Sequence, residues 1–453
     1  MDVTRRLAEF VACTASEAIP AEARQQAKRA LLDTLGVMLA GSREAASQIV
    51  AAMVREQGGV PEATVLGHGW RAPAGEAALA NGTSGHALDF DDVSSPMRGH
   101  PSIPLLPALL ALGEKLGASG RELVEAFVLG FEVECTLGRA IGRAHYALGW
   151  HATATFGSIG AAAAGARLLR LDAERTRAAL GTAASLASGV QQNFGTMTKP
   201  LHAGWAARNG LTAALLASKG FTADARALEG ESGWLRAASG AAEFDASAAV
   251  RALGEPWEIV SPGIGVKLYP CCYATHRAID AALEIRAAHG IEAGDITRIE
   301  AVVSPGTLLP LIDRAPETGL EGKFSLEYCL AAALLDGRVA LASFTDDAVR
   351  RAEAQRLASL VQISEGGPQL DFPIEGVAAV TVETRDEKRI SARVETPKGD
   401  PRRPLTWEEL AAKFRDCASL VLPPERAEKA IEMITGIESL QNVRELVAML
   451  GPA

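Results

Sequence analysis

The chain has 453 residues, more than one hydrophobic core usually organises, and 48% of them are hydrophobic, enough to fill a large interior. A formal net charge of −10 excludes a general nucleic-acid surface, although a few cations around a small anion remain compatible with it. No apolar run reaches the roughly 18 residues that would span a bilayer, and "MDVTRRLAEFVACTASEAIP" lacks the pattern of a signal peptide.

From residue 1 to about 264 the apolar spacing is helical almost throughout. "ARQQAKRALLDTLGVMLAG" and "GRELVEAFVLGFEVECTLGRAI" repeat apolar residues every three or four positions, as does "GLTAALLASKGFTAD". "GSIGAAAAGARLLRLD" is apolar nearly all round, which predicts a helix inside a bundle. "EATVLGHG" reads as one short strand. After Lys267 the pattern changes. "HRAIDAALEIRAAHG" predicts a helix, "ITRIEAVVSP" a strand, "KFSLEYCLAAALLDG" a helix, and "VAAVTVETRDEKRISARVETPKG" a hairpin around the polar turn "RDEK". The tail from Thr406 is amphipathic helix again. The expected fold class is therefore mainly α with an α+β part. A large all-helical domain is built from residues 1–264 and 406–453, and a smaller α/β lid is inserted at 265–405. A ligand is expected in the cleft between the two.

Several titratable clusters stand beside Gly- and Pro-marked helix ends, where a rigid scaffold can hold a reactive loop. "HALDFDDVSSPMRGHPS" holds His86, Asp89, Asp91, Asp92, Arg98 and His100. It reads either as an acidic turn, with Asp92 capping backbone donors, or as the lining of a site. "GWHATATFGS" places His151 before the small-residue helix. In "NFGTMTKPLHAGWAARNG", Lys199 and His202 flank the start of a helix whose dipole favours a carboxylate. "GVKLYPCCYATHRAIDAAL" sets Lys267 and His276 around adjacent cysteines, and Tyr328 lies in "FSLEYCLAAALLDG". Cys13, Cys135, Cys271, Cys272, Cys329 and Cys417 show neither a CxxC pair nor zinc spacing, so reduced thiols in a cytoplasmic protein are expected. No dinucleotide-binding glycine motif, P-loop, HExxH or GxSxG occurs. Cations with carboxylates and histidines, and no cofactor signature, point to proton chemistry on a small anion.

These segments, in this order along nearly the whole chain, resemble the MmgE/PrpD family. That family includes 2-methylcitrate dehydratases, cis-aconitate decarboxylases and iminodisuccinate epimerases. The resemblance implies the same two-part fold, a homodimer, and catalysis with no metal or organic cofactor. It places active-site positions on Asp89, His100, His151, Lys199, Lys267 and Tyr328. Substrate contacts are expected from Lys199, Lys267, Cys272, His276, Arg98 and His202. Cys272 stands where the decarboxylases carry a histidine, and Val93 where they carry a threonine. Arg98 lies where this chain is one residue longer. The best resemblance is to the branch similar to the epimerase, which implies dehydration or epimerisation of a di- or tricarboxylate. In this reading His100 is the base and Asp89 either orients it or is itself the base. Lys199 and Lys267 stabilise the enediolate, and Tyr328 delivers a proton. A cis-aconitate decarboxylase, a non-catalytic polycarboxylate binder, and a metal lyase using Asp89, Asp92, His100 and His151 stand as alternatives. No nucleic-acid or membrane partner is expected.

Overall fold

The computed structural model describes residues 2–240, 242, 244–311, 315–367 and 376–451. It is mainly helical with one small mixed sheet. The alanine- and glycine-rich stretches form long helices because alanine loses least on entering a helix and small side chains let axes approach. In the helix Ala152–Leu168 every residue except Arg167 is buried, so the segment that is apolar all round is the central rod of the bundle. The helices Ser102–Leu116, Gly120–Ile141 and Thr198–Ser218 pack around it. Ser119 and Glu122 form a capping box at the start of Gly120–Ile141.

One helix crossing depends on glycine at both points of contact. A Cβ on Gly82 would sit 2.8 Å from Gly204 Cα, and one on Gly204 would sit 2.3 Å from Leu79 O, so only glycines permit this approach. It joins the helix Ala74–Ala87 to Thr198–Ser218. Asp89 lies just past the C-terminal end of the first, and Lys199 in the first turn of the second.

The larger apolar core draws on residues from Val3 to Val266 and again from Leu405 to Leu450. The C-terminal helix Trp407–Ala418 lies on Ala21–Gly41. A second core gathers residues from Tyr269 to Val394. There, His276–His289 covers a sheet of order β4-β3-β5-β6, made of β3 (Ile296–Val303), β4 (Val361–Glu365), β5 (Ala378–Thr384) and β6 (Arg389–Val394), and Leu326–Asp336 packs on that helix. β3 and β4 run parallel; the other pairs are antiparallel. Ala378, Val380 and Val382 of β5 point inward and alternate with half-buried residues, the signature of a one-sided sheet. The register slips between Ile296 and Arg298, where the alternation of β3 also breaks.

The predicted strand "ITRIEAVVSP" and the "RDEK" hairpin are β3 and β5–β6. "EATVLGHG" holds one short strand, β1 (Ala63–Val65), as expected, and it pairs with β2 (Trp70–Ala72) just beyond that stretch. β2, three residues long, is too short to set a period; β4 (Val-Gln-Ile-Ser-Glu) does alternate, over five residues, and the sequence reading passed over it. No described helix is long and apolar enough to cross a membrane.

Candidate active site

The helix Ala74–Ala87 ends and the chain turns sharply. Asp89 takes a left-handed conformation, φ +50°, which an aspartate tolerates better than a branched residue does. The turn aims its carboxylate at two lysines. Lys199 Nζ donates to Asp89 Oδ1 at 2.5 Å, and Lys267 Nζ lies 3.0 Å from the same oxygen. Lys267 also donates to the Asp89 carbonyl at 2.8 Å. All three residues are buried. Burial alone would raise the Asp89 pKa, but the two ammonium groups outweigh it and hold the carboxyl far below its usual range. Lys267 moves the other way: burial works against its charge, yet Asp89 and Asp91 keep its pKa raised. The anion that the helix-start lysine meets here is the protein's own carboxylate rather than a bound one.

Asp91 serves two imidazoles. His86 Nδ1 lies 2.8 Å from Asp91 Oδ2, and His100 Nδ1 lies 3.2 Å from the same oxygen. The His86 and His100 rings meet edge to face at 4.5 Å. Burial lowers the His100 pKa more than Asp91 raises it, so the ring is neutral at pH 7. Asp91 beside Nδ1 favours the proton on that nitrogen, which leaves the Nε2 lone pair to accept another. Asp89 Oδ1 is 3.6 Å from that nitrogen.

The loop carrying His100 is fixed by close packing. Gly99 passes so near the start of Ala152–Leu168 that a Cβ would lie 2.8 Å from Thr153 N. The His100 N–H donates to Thr153 Oγ1 at 3.0 Å. Val93 and Gly265 exchange backbone hydrogen bonds at 2.8 and 2.9 Å, which ties this loop to the segment leading into Lys267. His151 caps the same helix; its Nδ1 is 3.0 Å from His202 Nδ1, so one ring donates and the other accepts. Burial drives His151 well below its ordinary pKa and His202 down to about 4.

A cavity of about 220 Å3 opens onto this cluster. Asp89, Arg98, His100, His151, Lys199, Lys267 and Cys272 line it. Arg143, Tyr146, Thr153, Phe194 and Phe324 line it too, and the sequence reading missed all five. Phe194 and Phe324 flank Lys199 Nζ at 5.4 and 5.0 Å from their ring centres. Pro305, Gly306, Leu309 and Pro310 of the smaller unit complete the wall. Burial pushes the Cys272 thiol up to about 12, so it holds its proton.

Three expected site residues do not line the cavity. Tyr328 is fully buried in the second core, and its hydroxyl donates to Ser343 O. His276 is fully buried between Tyr269 and Tyr273, with Nε2 3.3 Å from Cys271 O. His202 stands behind His151 and touches it.

Among the described residues, His86, Asp89, Asp91 and His100 offer ligand atoms within 4.8 Å of one another, the spacing a cation would need. Asp89 already faces two ammonium groups, so a cation there would sit against like charge. Asp92, which the metal reading needs, accepts instead from the Ser102 N–H and Oγ–H at the start of Ser102–Leu116. Burial first, then Asp33, pushes Asp92 up to about 8. The capping reading of Asp92 describes what it does.

A helical bundle with an inserted α/β unit thus holds a buried Lys–Asp–Lys and Asp–His cluster at one cavity. The MmgE/PrpD N-terminal domain matches residues 5–247 and the MmgE/PrpD C-terminal domain residues 269–439. The chain belongs to the MmgE/PrpD family. It is 31% identical to the human cis-aconitate decarboxylase over 95% of this chain and 90% of that protein. It is 29% identical to a cis-aconitate decarboxylase-like protein of Aspergillus oryzae, over 99% and 97% of the two chains. The cis-aconitate decarboxylase of Aspergillus terreus is 28% identical over 99% and 96%.

Proposed function

We propose that this chain is an enzyme that removes a proton α to a carboxylate of a small di- or tricarboxylate, without a cofactor, leading to dehydration or epimerisation. The observation that carries this is His100, backed by Asp91 on one nitrogen, with its other nitrogen beside the Asp89–Lys199–Lys267 cluster at the cavity.

His100 is the better base of the two candidates. A carboxylate held as far below its range as Asp89 binds a proton poorly, whereas a neutral imidazole backed by a carboxylate takes one readily. Asp89 instead fixes Lys199 and Lys267 at one point. Charge developing on the substrate carboxylate as the enediolate forms then meets two pre-placed ammonium groups; losing one such group typically costs about 10²–10³ in rate. Arg98 and Arg143 add positive charge to the wall for a further carboxylate. Proton return falls to Tyr146 or Cys272, since both line the cavity and burial keeps both protonated. Protonating a β-hydroxyl expels water, while protonating the opposite face of the carbanion inverts the centre. We further propose a cytoplasmic homodimer, as the family resemblance implies; sedimentation of the purified chain tests the dimer.

Decarboxylation of cis-aconitate is the second reading, supported by the relatives' names. Against it stands Cys272, at the position where, by the family resemblance, the decarboxylases carry a histidine. Proton NMR in D2O with 2-methylcitrate, citrate, cis-aconitate, iminodisuccinate, malate and tartrate separates the readings. Deuterium entering an α-position without loss of water or CO2 means epimerisation, and a new vinyl signal with water loss means dehydration. Itaconate from cis-aconitate would establish the second reading. Binding of these anions with no exchange and no product would make the chain a binding protein.

A further inference from the structure

Asp89 is held from behind as well as from the front. The three consecutive carbonyls of Leu88, Asp89 and Phe90 each accept a hydrogen bond from a different buried lysine. Lys323 Nζ donates to Leu88 O at 2.7 Å, Lys267 Nζ to Asp89 O at 2.8 Å, and Lys413 Nζ to Phe90 O at 2.8 Å. Lys323 also donates to Pro270 O at 2.8 Å, and Lys413 to Lys267 O at 2.9 Å. Lys413 pairs with the buried Asp33 at 2.6 Å and lies 3.8 Å from the centre of the Phe90 ring. Neither Lys323 nor Lys413 lines the cavity, so neither ammonium group is available to a ligand there.

Burying an ammonium group is costly unless it is fully engaged. Lys413 has the Asp33 carboxylate beside it, but the hydrogen bonds of Lys323 go to main-chain carbonyls; that needs a reason, and the turn supplies one. Carbonyls past a helix end have no intrahelical partner, and the negative end of the helix dipole next to them favours a cation. Asp89 sits in a left-handed conformation that persists only where its surroundings over-determine it. The lysines come from separate parts of the chain. Lys323 follows the short helix Gly319–Gly322 of the smaller unit, next to the cavity residue Phe324, and Lys413 belongs to the C-terminal helix Trp407–Ala418.

We propose that Lys323 and Lys413 are positioning residues for Asp89: by clamping the Leu88 and Phe90 carbonyls they hold the turn that places its carboxylate between Lys199 and Lys267. Seating the smaller unit and the C-terminal helix is then the same event as assembling the charge cluster. The effect on catalysis rests on the role given to Asp89 under the proposed function; the effect on geometry does not.

The test is Lys323→Met, which keeps the stem and removes the charge. Crystal structures of parent and variant are compared at Asp89, alongside melting curves and kinetics of α-deuterium exchange. The clamp requires Asp89 to leave its left-handed conformation, or its carboxylate to separate from Lys199. It also requires kcat to fall about tenfold or more while KM moves less than about threefold. Lys323→Arg, which restores the cation, recovers part of the rate. The double variant Asp33→Asn/Lys413→Met removes the other arm without stranding the Asp33 charge, and covers the case in which Lys323→Met does not fold. Asp89 unmoved in both folded variants would overturn the proposal. A parent that exchanges no α-proton would refute the proposed function, while the displacement of Asp89 would still decide the clamp.

Discussion

Asp91→Asn separates a catalytic dyad from a structural one. One carboxylate oxygen of Asp91 faces His86 Nδ1 at 2.8 Å and His100 Nδ1 at 3.2 Å. An asparagine has one oxygen to offer and an NH2 that donates; with its oxygen where both rings now point it keeps both contacts, and with the amide turned round its NH2 faces His100. In the turned form His100 Nδ1 becomes the acceptor, the proton moves to Nε2, and the base is lost. The comparable change beside a catalytic histidine costs about 10⁴-fold in kcat, or about 5.5 kcal/mol at 1.36 kcal/mol per decade. If the oxygen stays with His100, only the carboxylate's charge is lost, at a cost on the order of 10²-fold. The expected fall in α-proton exchange is therefore on the order of 10²–10⁴-fold. Stability should change little, because a charge-assisted hydrogen bond of about 1.5–3 kcal/mol is lost while a fully buried carboxylate no longer has to be desolvated. Deuterium exchange followed by NMR, with a melting curve alongside, reads both quantities. Exchange within about threefold of the parent in a folded variant would refute the assignment of His100 as the Asp91-backed base.

Tyr328→Phe should leave turnover within about twofold and lower stability by about 1–3 kcal/mol, because it strands the Ser343 carbonyl; a large loss of kcat at unchanged stability would return Tyr328 to the mechanism. Asp92→Asn should keep the Ser102 contact. The Asp92 pKa is raised on folding, so its contribution to stability is lost as pH rises from about 4 toward about 8. Urea melts should therefore favour the variant more at pH 8 than at pH 5. His86, His145 and His202 have folded values lowered to about 3, 4 and 4. They should remove stability as pH falls below about 6.5, which an acid melt series would show. Cys272→His should raise CO2 release from cis-aconitate, read as itaconate; no increase would detach that position from decarboxylation.

The fold class was legible because its cause is local. Helical spacing up to about residue 264, alternation in β3 and β5, and the polar turn "RDEK" each report on neighbours a few residues away. The site was legible only in part. Lys199 reads as a helix-start lysine, but its partner lies 110 positions away and is reached through the Gly82–Gly204 crossing. In "DFDD" nothing marks which aspartate does what. The left-handed turn at Asp89 sends one carboxylate to the lysines, and the next two acids go to the imidazoles and to Ser102. Tyr328 sits in a segment apolar all round, so its pattern cannot say which face meets the cavity. Arg143 and Tyr146 lie in the short helix Arg143–Ala147, with too few residues to reveal a face.

The most direct measurement is α-deuterium exchange in D2O, comparing the parent with His100→Gln on whichever polycarboxylate the parent turns over. With His100 as the base, the parent exchanges and the variant shows nothing above background, while both proteins melt as folded chains. Exchange at the parental rate in His100→Gln would contradict that assignment and move the base to another group on the same cavity.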